Sequence, residues 1–319
     1  MTFIIAEVGS NWEDFSDCIV SIEQAKVAGA DAVKFQLFSF EELYGWNDWK
    51  TGELENYHLD HEWLPKLAQH AKAIGIKFMC TAFSPEGVAA VDPFVEMHKV
   101  ASSDLTYPQL LEAVAKTGKP VLLSCGASSR GDIEQALARL PKERTTLMYC
   151  VSAYPARSVD IEVLHELLKA CTGPVGFSDH TTDIYGAPVA AARFGAEVIE
   201  KHFTAFPHLD TPDRRHSLTP DEFKRMVDRI RGRDEPRLGP TFEESAMFLR
   251  HNRRLVAVRD IQPGEVLRFG QNYGAYRTLQ DDTRGLSPFL WNHEQYGPEG
   301  KRAAVTIGRG KGIGPGDFK

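Results

Sequence analysis

The chain has 319 residues, long enough for one large domain with a smaller one beside it. Its 42% hydrophobic and 25% charged content is that of an ordinary globular protein, and the net charge of −7 argues against a general nucleic-acid binder. Five cysteines with no CxxC pair exclude a disulfide framework or zinc knuckle, and no apolar run is long enough for a membrane span or leader. Free thiols in a reducing cytoplasm are therefore expected.

Short apolar runs alternate with amphipathic stretches. The pattern predicts a strand at Phe3–Val8 and a helix at Phe15–Ala28, then strand Ala32–Phe35 and helix His61–Ala73. Strand Ile76–Cys80 and helix Pro85–Val91 follow, then strand His98–Ala101 and helix Tyr107–Lys116. Strand Val121–Ser124 precedes helix Arg130–Leu140, and strand Thr146–Cys150 precedes helix Ile161–Ala170. Strand Val175–Phe177 with helix Tyr185–Phe194, and strand Glu197–Lys201 with helix Pro220–Arg231, complete eight βα units within residues 1–232. Glycines between helix and strand (Gly29, Gly75, Gly118, Gly173, Gly195) fit helix C-caps. Apolar strands between amphipathic helices imply a parallel sheet covered by helices, and eight units of this length favour an α/β fold of the closed (β/α)8 TIM-barrel type. No GxGxxG follows the first strand, which removes the dinucleotide fingerprint.

Residues 233–253 are charged and contain Pro and Gly, and read as a linker. From Arg254 to Lys319 the texture changes to short strands, expected at Leu255–Val258, Val266–Phe269 and Ala303–Ile307, with a turn at Pro263-Gly264. This is a small all-β module with little core of its own.

In a barrel of this kind the carboxyl ends of the strands carry the chemistry. Successive strand ends offer Glu7, Ser10 and Asn11; Lys34 and Gln36; Thr81; Lys99, Ser102 and Asp104; Ser124; Ser152 and Tyr154. The last two offer Ser178, Asp179 and His180, then Glu200, Lys201 and His202. His180 and His202 end consecutive parallel strands, so they should stand side by side, as a divalent-metal pair or as two hydrogen-bonded structural histidines. Lys34 and Lys99 lie within apolar runs, and a buried ammonium is costly unless an anion accompanies it. With Ser102, Ser124 and Ser178 they suit a phosphate or phosphorylated carboxylate; the alternatives are structural ion pairs, for example with Glu7, or snorkelling to solvent. A buried lysine also admits Schiff-base chemistry, for which Lys34, Lys99 or Lys201 could serve.

These segments together resemble the sialic acid synthase family. The matching stretches run from Ile5-Ala6-Glu7-Val8-Gly9-Ser10-Asn11 and Asp31-Ala32-Val33-Lys34-Phe35-Gln36, through Lys99-Val100-Ala101-Ser102-Ser103-Asp104, to Ser178-Asp179-His180-Thr181 and Glu200-Lys201-His202-Phe203-Thr204. The resemblance implies a synthase that condenses phosphoenolpyruvate with an N-acetylated amino-sugar aldehyde, giving a nine-carbon α-keto acid and phosphate. It implies a divalent metal, manganese or magnesium, on His180 and His202. It also implies Glu7 and Asp104 at the reaction centre and Lys34, Lys99, Ser102, Ser124 and Ser178 around phosphoenolpyruvate. Gln36, Thr81, Ser152, Tyr154 and Asp213 would complete the substrate pocket.

The tail resembles the family's antifreeze-like SAF domain, which implies a domain-swapped homodimer with Arg277 reaching the partner's sugar; Arg284, beyond the insertion Leu279–Thr283, is the alternative. Cys150-Val151-Ser152-Ala153-Tyr154-Pro155 is closer to the pseudaminic acid synthases and spore-coat polysaccharide relatives than to N-acetylneuraminate synthases. Two rival readings remain. One is a related synthase acting on another aldose, a phosphorylated one if Arg214 and Arg215 face the pocket. The other is a non-catalytic sugar binder.

Overall fold

A computed structural model describes residues 2–39, 42–43, 57, 59–170, 173–233, 252–277 and 284–319. The chain divides into two compact units, Met1–Glu235 and Pro236–Lys319. The expected linker, apart from Arg233, Asn252 and Arg253, lies outside the described residues, as do Cys171 and the insertion Leu279–Thr283. The other cysteines are buried thiols. No helix among the described residues is long and apolar enough to cross a membrane.

The first unit alternates strand and helix as the apolar pattern requires. Its strands are β1 (Phe3–Glu7), β2 (Ala32–Leu37), β3 (Lys77–Ala82), β4 (His98–Val100), β5 (Val121–Ser124), β6 (Thr145–Cys150), β7 (Val175–Asp179) and β8 (Val198–His202). The helices between and after them are α1 (Phe15–Val27), α2 (Leu64–Ile74), α3 (Pro85–Val91), α4 (Pro108–Lys116), α5 (Arg130–Leu137), α6 (Ile161–Ala170), α7 (Ala187–Arg193) and α8 (Pro220–Ile230). The strands form one parallel sheet in the order β3-β2-β1-β8-β7-β6-β5-β4. β3 and β4, at the two ends of that order, lie against each other, so the sheet curls into a near-barrel.

The period-two alternation of each strand sorts its side chains. Ile5, Ala32, Met79, Leu122, Met148 and Val198 make one apolar cluster inside the sheet. Two residues further along the same strands stand Glu7, Lys34, Thr81, Ser124, Cys150 and Glu200, so a polar layer lies above the apolar floor. The alternate residues, among them Ile4, Val33, Phe78 and Leu123, pack outward in the main core with helix residues such as Ile22, Leu67 and Val114.

Element ends depart from expectation where side chains intervene. β2 extends to Leu37, which takes Gln36 into the ladder opposite Thr81. His61–Trp63 is a 3-10 turn, and the α-helix starts at Leu64 with Pro65 in its first turn, where a missing N–H costs nothing. The helix expected from Tyr185 starts at Ala187. Asp183 accepts from the N–H groups of Tyr185, Gly186 and Ala187, so that stretch is a side-chain-held turn instead. α8 opens on a capping box between Thr219 and Glu222.

In the second unit β9 (Arg254–Ala257) pairs antiparallel with β10 (Tyr273–Tyr276), over a core of Leu255, Ile261, Leu267, Tyr273, Ile307 and Ile313. The strands expected at Val266–Phe269 and Ala303–Ile307 are reduced to isolated bridges, Val266 with Arg302, Ala303 with Phe318 and Ile307 with Ile261. Left-handed turns at Gly264 (φ 88°) and Gly270 (φ 79°) flank the first of these segments and break the ladder. Arg277 directly follows β10 and is exposed.

Candidate active site

The polar layer is a buried charge cluster. Lys34 Nζ stands 2.6 Å from Glu7 Oε2 and 3.6 Å from Glu200 Oε2, and it donates to Thr81 Oγ1 at 2.9 Å. Lys99 Nζ lies 3.7 Å from Glu200 Oε1, which also accepts from Ser178 Oγ at 3.0 Å. Gln36 Nε2 donates to Glu7 Oε1 at 2.8 Å. Two ammonium groups and two carboxylates thus share one pocket with almost no access to water, the only arrangement in which such charges are tolerable.

The environments separate the four groups. Burial lifts Glu7 to about 7, with Lys34 opposing and Glu200 adding to the rise. Burial acts in the same sense on Glu200, but Lys34 and Lys99 overcome it and bring that carboxyl down to about 2. Lys34 is depressed by burial yet raised on balance by Glu200 and Glu7, whereas for Lys99 burial prevails and its pKa falls. Lys99 is the less committed ammonium: among the described residues its one hydrogen bond is to the Val100 carbonyl at 3.3 Å, so donors remain for a ligand. Ser124 Oγ is buried with no hydrogen-bond partner among the described residues.

Above this layer the sheet ends in histidines. Nδ1 of His180 donates to the Val151 carbonyl at 2.7 Å, which leaves Nε2 as the lone-pair nitrogen of a neutral ring. Burial pushes His180 down to about 4 and His202 well below its usual value, so both are neutral imidazoles near pH 7. Their ring centroids are 5.7 Å apart. Tyr154 lies over His180 at 4.3 Å, beside the Ser102–Ser152 hydroxyl pair at 2.9 Å that belongs to the same strand ends. A Cβ at Gly126 would meet Ser152 Oγ at 2.2 Å and Cys150 Sγ at 2.6 Å, so this wall of the pocket admits only glycine.

The loop after β1 fixes the loop after β8. Asn11 donates to the Phe203 carbonyl and Ser217 Oγ and accepts from Thr211 Oγ1. Ser10 donates from both N–H and Oγ to Asp213 Oδ2, at 2.8 and 2.9 Å. Gly9 makes the approach possible: its φ is 56°, and a Cβ there would stand 2.2 Å from Asp213 Oδ2. The result brings Asp213 and His216 to His202. His216 Nε2 lies 3.3 Å from Asp213 Oδ1, and the His202 and His216 rings are 4.3 Å apart. One ligand atom from each of His202, Asp213 and His216 lies within 4.8 Å of the others. Burial would raise Asp213, but His202, the His216 hydrogen bond and the Ser10 N–H hold it well below the usual carboxylate range. His202 Nδ1 is buried without a hydrogen-bond partner, and imidazole with carboxylate is a donor set for a divalent transition metal, so these residues fit such an ion.

Of the residues expected at the site, Glu7, Lys34, Gln36, Thr81, Lys99, Ser178, Glu200, His180, His202, Tyr154 and Asp213 are linked through the contacts above. Asp104 ends a 3-10 turn after β4, with Oδ2 accepting from Ser103, and burial raises it. Lys201, one of the Schiff-base candidates, points the other way. It is fully buried outside the sheet, 2.6 Å from Asp179 Oδ2 and bonded to Thr181, and so is a structural ion pair. Arg214 donates from Nε to the Pro207 carbonyl at 2.7 Å. His216 is not among the individually expected site residues; it lies 14 residues past β8 in a 3-10 turn with no periodicity to announce it.

The NeuB family pattern matches residues 21–237. The chain belongs to the NeuB family. An uncharacterized protein of Methanocaldococcus jannaschii is 38% identical, over 83% of this chain and 82% of its own. The N,N'-diacetyllegionaminic acid synthase of Campylobacter jejuni is 32% identical, over 84% of this chain and 88% of its own. Among solved structures, the N-acetylneuraminic acid synthetase of Leptospira borgpetersenii superposes with a TM-score of 0.69 at 30% identity, covering 77% of this chain and 90% of that one. These named relatives are synthases of two different acids, N,N'-diacetyllegionaminic acid and N-acetylneuraminic acid.

Proposed function

We propose that this chain is a transferase that condenses phosphoenolpyruvate with an N-acetylated amino-sugar aldehyde, giving a nine-carbon nonulosonic acid and phosphate. The observation that carries the reading is the juxtaposition of the Lys34–Glu200–Lys99 cluster with the neutral histidines above it. An anionic cosubstrate would satisfy the spare donors of Lys99 and the unpartnered hydroxyl of Ser124, with Ser102 and Ser178 adding donors. Membership in a family whose named relatives are acid synthases supports the same chemistry.

A divalent metal bound at His202 and His180 would act as a Lewis acid toward the aldehyde oxygen. The chain's own residues do the rest. Lys34 and Lys99 hold the phosphate and carboxylate of phosphoenolpyruvate so that C3 faces the aldehyde carbon. A bond forms between those carbons, water adds at C2, and the C2–O bond breaks with the electron pair leaving on phosphate. Glu7, lifted to about 7 and hydrogen-bonded to Gln36, would hold or yield a proton beside C3. In this reading Asp104 would take the proton of the attacking water, and Tyr154, Ser152 and Thr81 would contact the sugar and cosubstrate.

The second unit, with Arg277 or Arg284, is read as an SAF-type module that completes a partner's pocket in a homodimer. Phosphate release that requires both phosphoenolpyruvate and an amino-sugar aldehyde tests this function. Release with plain or phosphorylated aldoses alone would favour the related aldose synthase.

A further inference from the structure

The amino-terminal end of the sheet, opposite the candidate active site, opens into a cavity of about 780 Å³. That volume is within the range of small-molecule pockets. Its apolar lining comes from Phe3 at the start of β1, Phe78 in β3 and Phe94 in the turn after α3. Phe3 also packs against the apolar cluster inside the sheet, so the cavity meets the underside of that floor. One face of α2 forms a side wall through Pro65, Ala68, Gln69 and Lys72, the i, i+3, i+4, i+7 spacing of a single stripe. The helix buries a different stripe, Leu64, Leu67 and Ala71, in the core, which leaves this second face to the cavity.

The charges around the opening are unevenly committed. Arg231 grips Asp31 through both carboxylate oxygens, at 2.7 and 2.8 Å, and Glu96 is paired with Lys77. Among the described residues Lys26 gives one hydrogen bond, to the Gly75 carbonyl at 2.6 Å, and Lys72 gives none. An ammonium carries three donors, so two cations on one rim keep donors to spare while both carboxylates of the lining are taken.

We infer that this cavity is a binding site for a small organic anion, with an aromatic or apolar body against Phe3, Phe78 and Phe94 and an anionic head on Lys26 and Lys72. Rim charge and apolar lining select that class together. A cation would meet two uncommitted ammonium groups, and a wholly polar ligand would lose its hydration against phenyl surfaces that return no hydrogen bond. The site is separate from the catalytic pocket: Glu7 ends the strand that Phe3 begins, roughly 13 Å away at the rise of a β-strand. The inference is therefore independent of the condensation proposed above.

The test is a fluorescence titration of the full-length protein with anilinonaphthalene sulfonate, an aromatic anion of this class, and with uncharged N-phenylnaphthylamine as its control. Saturable one-site binding of the sulfonate is expected, with the neutral analogue weaker by about tenfold or more. Lys72→Glu should weaken the sulfonate by about the same factor and leave the neutral analogue unchanged. Ala68→Trp, which puts an indole into the cavity, should block both probes, with circular dichroism and thermal melting reporting the fold of each variant. No saturable binding to wild type would overturn the site. Sulfonate affinity unchanged in folded Lys72→Glu, or equal affinity for the two probes, would overturn the anion assignment. Displacement of the sulfonate by phosphoenolpyruvate would put the probe in the catalytic pocket and likewise overturn the proposal.

Discussion

Glu7 and Lys34 face each other across neighbouring strands, with Oε2 and Nζ 2.6 Å apart and both side chains buried. The ladder pairs these two residues directly, so the contact is fixed by backbone register rather than by side-chain reach. Lys34 cannot neutralise Glu7 fully because Glu200 claims the same ammonium at 3.6 Å. Three groups on three strands therefore share one proton-sensitive balance.

That balance sets a pH dependence of stability in the metal-free protein. Glu7 rises from 4.5 to about 7 on folding, so between those values the native state binds more proton than the unfolded chain. Its contribution is complete below pH 4.5 and is lost as pH rises through 7. Glu200 falls from 4.5 to about 2, and its contribution is present above 4.5 and lost as pH falls toward 2. Urea unfolding of Glu7→Gln and wild type from pH 4.5 to 8 should show the variant gaining relative to wild type as pH rises. A difference independent of pH would contradict this account of Glu7.

Lys201 and Asp179 should matter for folding rather than for chemistry. Lys201→Met would leave the Asp179 carboxylate buried and unpaired at 0% exposure, a loss of about 3–5 kcal/mol. Thermal melting should show the drop, and the double variant Lys201→Met with Asp179→Leu should recover much of it. A single variant as stable as wild type would contradict the structural assignment.

Gly126 should tolerate no side chain. An added methyl would collide with Ser152 Oγ and Cys150 Sγ, an overpacking cost of about 1–3 kcal/mol. Because Ser152 bonds Ser102 at the pocket wall, Gly126→Ala should also raise the KM for at least one substrate. Steady-state kinetics with a melt on the same sample would check both parts, and an unchanged KM would remove this wall from the pocket.

Much of this was legible in the sequence because strand alternation is a local property. With His202 facing the pocket, period two puts Glu200 inward and Lys201 outward, and the Lys201–Asp179 pair removes Lys201 from the Schiff-base candidates offered above. The strand ends could be ordered, but Glu200 could not be given its part as the shared anion of Lys34 and Lys99, which depends on distances between three strands. His216 carries no such local signal. It reaches His202 only because Ser10 and Asn11, some 200 residues earlier, tie down the turn that carries it. In the second unit, β10 is short and glycine-bearing, without the β-branched alternation that marks a strand, and was missed.

Lys99 should act on the cosubstrate alone. Lys99→Met removes the ammonium that has donors to spare while Lys34 still neutralises Glu200, so the KM for phosphoenolpyruvate should rise about tenfold or more and that for the sugar little. An equal rise in both would contradict its placement on the anion.

The proposed reaction joins C3 of phosphoenolpyruvate to the aldehyde carbon and cleaves the C2–O bond. The most direct measurement uses phosphoenolpyruvate carrying 18O in the C2–O–P bridge, with an N-acetylated amino-sugar aldehyde and Mn2+, followed by mass spectrometry of both products. Phosphate should retain the label and the nonulosonic acid should lack it, with no phosphate formed when the sugar or the metal is withheld. Unlabelled phosphate, or release without the sugar, would contradict it.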